Sequence, residues 1–216
     1  LDALFDFAKK NPNVILEFKT KSNNVKYFLE NDVPSNIICT WSLNTHTIIE
    51  NEEHLASSLT QRIDAARKLA SKGVLVGFHF HPIIQYENYL NEYNEVYKLL
   101  LDTFDSKEIA LISFGTLTFI KPVIQKIRSR SFKSKILQMP TEDANGKASY
   151  PMDIKREMFK AAYDAFKPWH KDVYFYLCME DESLWKEVFG YEYISNNQME
   201  DMMKMSYTEK IRVKGN

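Results

Sequence analysis

Two histidines, His79 and His81, stand two positions apart in the apolar run VLVGFHFHP. Side chains alternate along a strand, so both imidazoles point to one face. At that spacing they can bind Zn²⁺ or Fe²⁺, or they can stack on or hydrogen-bond an organic ligand. A metal site needs further ligands, and His46, His54 and His170 lie in unrelated contexts. The pattern therefore favours an organic ligand over a metal.

Two other predicted strands end in polar side chains. Lys19 and Lys21 share one face of the first, where an ammonium can hold a carboxylate or phosphate as a point charge. Ser42 and Asn44 share one face of the second and can hydrogen-bond a ribose or an amino acid ligand. Each pair can instead be a solvated strand end or a local cap of the next loop. The carboxyl ends of parallel strands meet at one edge, so the sequence predicts a ligand site there.

A basic run follows, from Lys121 to Lys135, with no acidic residue. Its cations are Lys121, Lys126, Arg128, Arg130, Lys133 and Lys135. Such a run can neutralise several phosphates, and Lys126, Arg128 and Arg130 are the candidates for DNA contact. The alternative is a solvated face that binds nothing.

Strand and helix patterns alternate along the chain, which predicts parallel β/α units. The predicted strands are Val14–Lys21, Asn36–Asn44, Val74–Ile84, Ile109–Phe119 and Val173–Met179. The predicted helices are Asp2–Lys10, Asn24–Glu30, Glu52–Lys72, Glu87–Phe104, Met152–Lys167, Trp185–Phe189 and Asn197–Ile211, and Thr141–Tyr150 reads as a polar loop. Four or five units are too few for a complete barrel of eight. We therefore expect an α/β fold. Residues 1–120 are expected to form a parallel half-barrel of the TIM type that carries the ligand face. Residues 121–216 are expected to form a C-terminal β/α and helical extension that carries a substrate region.

Composition narrows the class of protein. The 216 residues are 44% hydrophobic, enough for one packed core, and the net charge of -1 gives no bulk argument for nucleic acid binding. Cys39 and Cys178 both lie in apolar runs, which predicts buried thiols in a reducing, cytoplasmic compartment and no disulfide framework. No apolar run is long enough to span a membrane. The chain opens without Met, so we expect its natural start upstream.

Three blocks in this order, LEFKTKSNNV from residue 16, WSLN from residue 41 and SSLTQRIDAA from residue 57, resemble the spore photoproduct lyase family of radical S-adenosylmethionine enzymes. The resemblance covers roughly Val14 to Phe119. It implies a lyase that repairs a covalent thymine dimer in DNA. It also implies a 4Fe-4S cluster that receives electrons from a donor and cleaves S-adenosylmethionine to a 5′-deoxyadenosyl radical.

The resemblance also assigns residues. Lys21 is similar to the lysine that holds the cofactor carboxylate, and Ser42 to a serine at the ribose or amino acid end. His81 stands at a strand-end position that lines the cofactor site, in place of a small or acidic residue, and His79 is its neighbour. The family's Cys-x-x-x-Cys-x-x-Cys cluster motif is absent from this sequence. The cluster ligands and the hydrogen-donor cysteine are therefore expected upstream of residue 1, and this portion alone is expected to be inactive.

Two other functions stay open on the residues themselves. One is a metal-dependent hydrolase barrel that uses His79 and His81. The other is a half-barrel that binds a nucleotide-like ligand without catalysis.

Overall fold

A computed structural model describes residues 1–130, 134, 136–144 and 146–214. Its strands are β1 Leu16–Thr20, β2 Ile37–Ser42, β3 Leu75–Ile83, β4 Ile109–Thr116, β5 Thr118–Ile120, β6 Glu142–Ala144, β7 Lys147–Ser149 and β8 Tyr174–Leu177. Its helices are α1 Asp2–Lys10, α2 Lys26–Glu30, α3 His46–Glu52, α4 Leu59–Ser71, α5 Tyr89–Thr103, α6 Lys121–Arg128, α7 Met152–Ala165, α8 Ser183–Phe189 and α9 Asn196–Lys214. Short 3-10 helices cover Ser106–Glu108 and Lys167–Trp169.

Five strands form one sheet in the order β1-β2-β3-β4-β8, and every neighbouring pair is parallel. The predicted parallel order of the first four strands is confirmed. Each strand of this sheet lies within its predicted range, but the end of the predicted strand Ile109–Phe119 belongs to β5, outside this sheet. The α/β class is therefore established by the sheet itself.

The sheet has one apolar face and one face that is mostly polar. Cys39, Trp41, Phe78 and Phe80 are almost fully buried in the main core, which they share with residues of α4, α5 and α7. We call the opposite side, which carries Lys19, Thr40, His79 and Ser113, the polar face. Alternation along the strands predicted this division.

Helix α9 lies against the polar face near the amino-terminal ends of the strands. Tyr207 of α9 joins Ile38, Leu75, Leu111 and Tyr174 in a second, smaller core. A sheet that is apolar at one end of this face must bury that end, and α9 does so. The carboxyl-terminal half of the polar face remains for a ligand.

The predicted helix Glu52–Lys72 is wrong at its start. Helix α4 begins at Leu59, where Ser58 and Gln61 form a capping box. Leu55, which the sequence placed on the apolar stripe of this helix, is fully exposed and has a φ of 66°. Helix α4 starts later than predicted because the Ser58 cap satisfies its first N–H groups, and α3 forms separately behind its own Thr45 cap.

The interpretation of residues 121–150 also needs correction. The start of the basic run is helix α6, and the predicted polar loop Thr141–Tyr150 contains β6 and β7. These two strands join β5 in a small antiparallel sheet. Gly146, with a φ of 79°, supplies the left-handed turn between them, a backbone requirement that composition alone does not reveal. Lys133 and Lys135 lie outside the described residues.

A helix needs about 20 predominantly apolar residues to cross a bilayer. Across the described ranges, we find no helix both long and apolar enough to cross one.

Candidate functional site

His79 is buried on the polar face between two partners. Its Nε2 lies 2.6 Å from Oε1 of Glu17 on β1, and its Nδ1 lies 2.6 Å from Oγ of Ser113 on β4. The Thr40 hydroxyl donates to the same Glu17 oxygen at 2.7 Å. Burial lowers the pKa of His79 more than the hydrogen bond to Glu17 raises it. Burial of Glu17 opposes ionisation, but hydrogen bonds from His79 and Thr40 outweigh it and lower the pKa of the carboxyl. His79 is therefore a neutral imidazole beside the ionised carboxylate of Glu17.

His81 continues the same cluster toward the carboxyl end of β3. Its Nε2 lies 2.8 Å from Ser113 Oγ, and its Nδ1 lies 3.4 Å from Nζ of Lys19. Burial, followed by the charges of His79 and Lys19, lowers the pKa of His81 to about 3. Burial also lowers the pKa of Lys19. His81 is thus a neutral base at this edge of the sheet.

Lys21 is held by a second charged group. Its Nζ lies 2.8 Å from Glu53 Oε1, and the other Glu53 oxygen accepts from Arg62 at 2.6 Å. Arg62 is fully buried and also donates to the carbonyl oxygens of Ser42, at 2.9 Å, and Ser57, at 2.8 Å. The side chain of Lys21 remains 42% exposed. The arrangement therefore presents a positioned cation at the end of β1.

A cavity of about 360 Å³ opens where the strands end. Lys21, Asn44 and His81 line its polar side, and Phe119 and Met179 are among the apolar residues around it. Ser42 and His79 do not line this cavity; both are buried in the sheet beside it. Of the four residues predicted for the cofactor, the structure brings Lys21 and His81 to the cavity wall.

A buried ion pair fixes the loop that follows β8. Lys155 Nζ donates to Glu180 Oε2 at 2.8 Å, and Glu180 Oε1 accepts from the backbone N–H of Thr116 at 2.6 Å and from its hydroxyl at 2.7 Å. The side chain of Glu180 is 1% exposed. Met179, next to it, takes a left-handed φ of 56° and projects outward at the cavity. The pair sets this wall of the cavity.

The basic candidates Lys126, Arg128 and Arg130 lie on or just after α6 and are exposed. Helix α6 follows β5 directly, and Thr118 and Phe119 of β5 line the cavity. The basic helix therefore starts at the same end of the sheet as the cavity.

Sequence reasoning missed several residues of the site. Glu17 lies on the same face of β1 as Lys19, and Ser113 on the same face of β4 as Leu111, so strand alternation was the available signal. Glu53 and Arg62 gave none, because the sequence placed both in one long helix. Among the described residues, no three His, Cys, Asp or Glu side chains come together to hold a metal ion. The hydrolase alternative at His79 and His81 gains no support from this arrangement.

Solved structures share this fold. A spore photoproduct lyase mutant with bound AdoMet and dinucleoside spore photoproduct aligns with a TM-score of 0.64 and 22% identity, over 76% of this chain and 51% of that one. A cysteine-to-alanine mutant of spore photoproduct lyase aligns with a TM-score of 0.66 and 23% identity, over the same shares. The likeness shows that the two share the α/β fold with its parallel sheet.

Sequence comparison reaches further. The spore photoproduct lyase of Clostridium acetobutylicum is 31% identical over 160 residues, which cover 74% of this chain and 43% of that protein. The one from Geobacillus sp. is 28% identical over 123 residues, 56% of this chain and 36% of that protein. The chain thus spans less than half the length of these relatives. The family model described as spore photoproduct lyase matches residues 1–156. With that match over most of its length, the chain belongs to the spore photoproduct lyase family.

Proposed function

We propose that this chain is the C-terminal portion of a radical S-adenosylmethionine lyase that repairs a thymine dimer in DNA. The observation that carries the proposal is the cavity lined by Lys21 and His81 at the strand ends of a chain in this family. Relatives of this fold carry AdoMet and a dinucleoside spore photoproduct. We propose the same two ligands for this chain because it belongs to the same family as those proteins.

The residues present fit S-adenosylmethionine. The cavity of about 360 Å³ lies within the range of about 300–1,000 Å³ typical of small-molecule sites. Lys21 offers an exposed ammonium for the carboxylate of the methionine end, and Glu53 holds that ammonium in place. When bound and reductively cleaved, this cofactor supplies a 5′-deoxyadenosyl radical.

The residues present do not fit a 4Fe-4S cluster. The chain has two cysteines: Cys39 is buried in the core on β2, and Cys178 directly follows β8, three strands away in the sheet. A cluster of this type is held by three or four thiolates. We therefore assign its ligands, and the catalytic residues, to a segment outside this chain, with an electron donor as a further partner.

We also propose which part of the chain binds the cofactor and which part binds the substrate. Residues 1–120 would form the cofactor side of a half-barrel, and residues 121–216 the substrate side. Four of the five parallel strands, β1 to β4, come from residues 1–120, and the cavity at their carboxyl ends supports this division. The position of α6 beside the cavity supports it for the second half.

In a longer protein that carries the cysteine segment, Lys21→Ala is expected to weaken S-adenosylmethionine binding by about tenfold to a hundredfold, the equivalent of one charge-assisted hydrogen bond. Isothermal titration calorimetry measures this. Lys26→Ala is the control, because Lys26 forms an exposed ion pair with Glu30 on α2 and does not line the cavity. Equal affinity in both variants would remove the cofactor from this cavity and leave the non-catalytic ligand site as the better reading.

We propose that the basic residues of and after α6 contact DNA phosphates. Each contact contributes about -0.9 to the slope of log K against log salt on duplex DNA. In the longer protein, Arg128→Ala with Arg130→Ala should weaken binding on all sequences and flatten the slope by up to about two units. Fluorescence anisotropy at several salt concentrations tests this.

The control for the DNA experiment is Lys9→Ala with Lys10→Ala. It removes the same charge from exposed positions of α1, near the amino-terminal ends of β1 and β2. An unchanged slope in the Arg128 and Arg130 variant would mean that this region is a solvated face. It would remove DNA as the partner here and leave the cofactor proposal intact.

A further inference from the structure

Met179, which lines the cavity just after β8, has a backbone conformation that methionine does not favour. Its φ of 56° lies in the left-handed region, where the Cβ of an L-amino acid comes too close to the following carbonyl oxygen. The residue is also 89% exposed, so its side chain gains little from burial inside the protein. Neither the backbone conformation nor packing within the fold explains a methionine at this position.

Buried contacts on both sides of Met179 hold it in that conformation. On one side, the backbone N–H of Cys178 donates to the carbonyl oxygen of Phe114 at 2.8 Å. On the other side, the carboxylate of Glu180 accepts two hydrogen bonds from Thr116. A residue between two anchored neighbours has little freedom to change its φ. The chain therefore presents the flexible thioether of Met179 to the cavity from a fixed point of the backbone.

The end of β8 also lies close to the ring of His81, because a glycine stands between them. A Cβ at position 115 would lie 3.0 Å from the carbonyl oxygen of Cys178 and 3.3 Å from Cδ2 of His81. Any side chain at Gly115 would push these two groups apart. Gly115 thus lets Met179, the next residue after Cys178, reach the same cavity wall as His81.

The cavity extends from a charged side chain to an apolar wall. Lys21 follows β1 and Met179 follows β8, and these are the two edge strands of the sheet. We use the name apolar wall for Leu117, Phe119, Ile136 and Met179, which all line the cavity. A ligand that fits this space has a charged group for Lys21 and an apolar, flat group for the apolar wall.

We infer that Met179 is a ligand-contacting residue whose thioether packs against the flat ring of a nucleobase bound at the apolar wall. Every nucleobase has a π-face that stacks on aromatic side chains, and a thioether makes favourable contacts with such rings. Phe119 supplies an aromatic ring on the same wall. The inference rests on the proposed function, which offers two sources of the ring: the adenine of S-adenosylmethionine and the thymine of the DNA lesion.

Met179→Gly separates ligand binding from stability. Glycine adopts a positive φ without steric cost, so the thermal unfolding midpoint should stay unchanged or rise. Affinity for the ligand whose base lies at the apolar wall should fall about threefold to tenfold, the range of a sulfur–aromatic contact. Isothermal titration calorimetry on the longer protein, with S-adenosylmethionine and with the dinucleoside spore photoproduct, shows which ligand supplies the ring.

Leu55→Gly is the matched control. Leu55 is a fully exposed apolar residue with a left-handed φ of 66°, and it does not line the cavity. The control makes the same backbone change and removes a side chain of similar size, so both affinities should stay the same. If Met179→Gly leaves both affinities at the level of Leu55→Gly, or lowers the unfolding midpoint along with the affinity, the inference is overturned.

The methyl group of Met179 reports the contact directly. In protein labelled with ¹³C at the methionine methyls, the NMR signal that Met179→Gly removes should move upfield when the ligand binds, because an aromatic face shields a methyl above it. The signal of Met202, exposed on α9, should stay in place. A Met179 signal that stays in place with both ligands at saturation would overturn the contact.

Lys21→Ala distinguishes this inference from the proposed function. If that variant weakens S-adenosylmethionine binding while Met179→Gly weakens neither ligand, the cofactor remains in the cavity and only the Met179 contact fails. If neither ligand binds the longer protein at all, the proposed function fails and takes the Met179 contact with it.

Discussion

Replacing Lys155 with methionine is expected to destabilise the protein by about 3–5 kcal/mol. The change leaves the Glu180 carboxylate, 1% exposed, without its ammonium partner. Thr116 still donates two hydrogen bonds to it, but an unpaired buried charge costs more than those bonds recover. Urea unfolding followed by circular dichroism measures the loss.

The neighbouring residue supplies the control. Arg156 is in the same helix and forms an ion pair with Glu187 at the surface. Arg156→Met should leave the free energy of unfolding almost unchanged, because water and salt screen an exposed pair. If Lys155→Met and Arg156→Met lower the free energy of unfolding by similar amounts, burial of the Lys155–Glu180 pair is not the reason that Lys155→Met destabilises the protein. The wall of the cavity at Met179 would then need another explanation.

Arg62→Met should have an effect of similar size, about 3–5 kcal/mol, for a related reason. The guanidinium is fully buried and donates to Glu53 and to the carbonyl oxygens of Ser42 and Ser57. Methionine fills much of the volume but leaves these three acceptors without their donor. Equilibrium unfolding in urea gives the change in stability.

Two further variants sharpen the Arg62 experiment. Adding Glu53→Gln to Arg62→Met should restore part of the stability, because the buried Glu53 side chain then no longer carries a charge that only the half-exposed Lys21 balances. Arg67→Met, one turn or more along the same helix, should cost less, because the Arg67 pair with Glu108 is partly exposed. If the stability losses of Arg62→Met and Glu53→Gln simply add in the double variant, the two residues are not energetically coupled. Arg62 would then have no part in positioning Lys21 through Glu53.

Residue alternation by itself determined which side chains share a face. It placed Lys19, Lys21, Ser42, His79 and His81 on one side of the sheet and Trp41 and Phe78 on the other. It succeeded because the period of a strand is a local property of the backbone, and a one-residue error would bury a charge. The parallel order followed from the long helical segments between strands, which parallel connections require.

Only the tertiary structure decided which of those side chains meet. The contact of His79 with Glu17 spans 62 residues of sequence, and its contact with Ser113 spans 34. No local pattern encodes such pairings, since they depend on how strands stagger in the sheet. The same holds for Arg62, which looked like one more helical residue in the sequence; because α4 begins only after the Ser58 cap, Glu53 lies outside the helix and reaches the Arg62 guanidinium. It holds as well for α9, whose weakly amphipathic sequence gave no sign that Tyr207 would cover the amino-terminal half of the polar face. The strand period determined which face of the sheet each side chain occupies. The contacts between those side chains depended on which charges and apolar surfaces the tertiary structure buries.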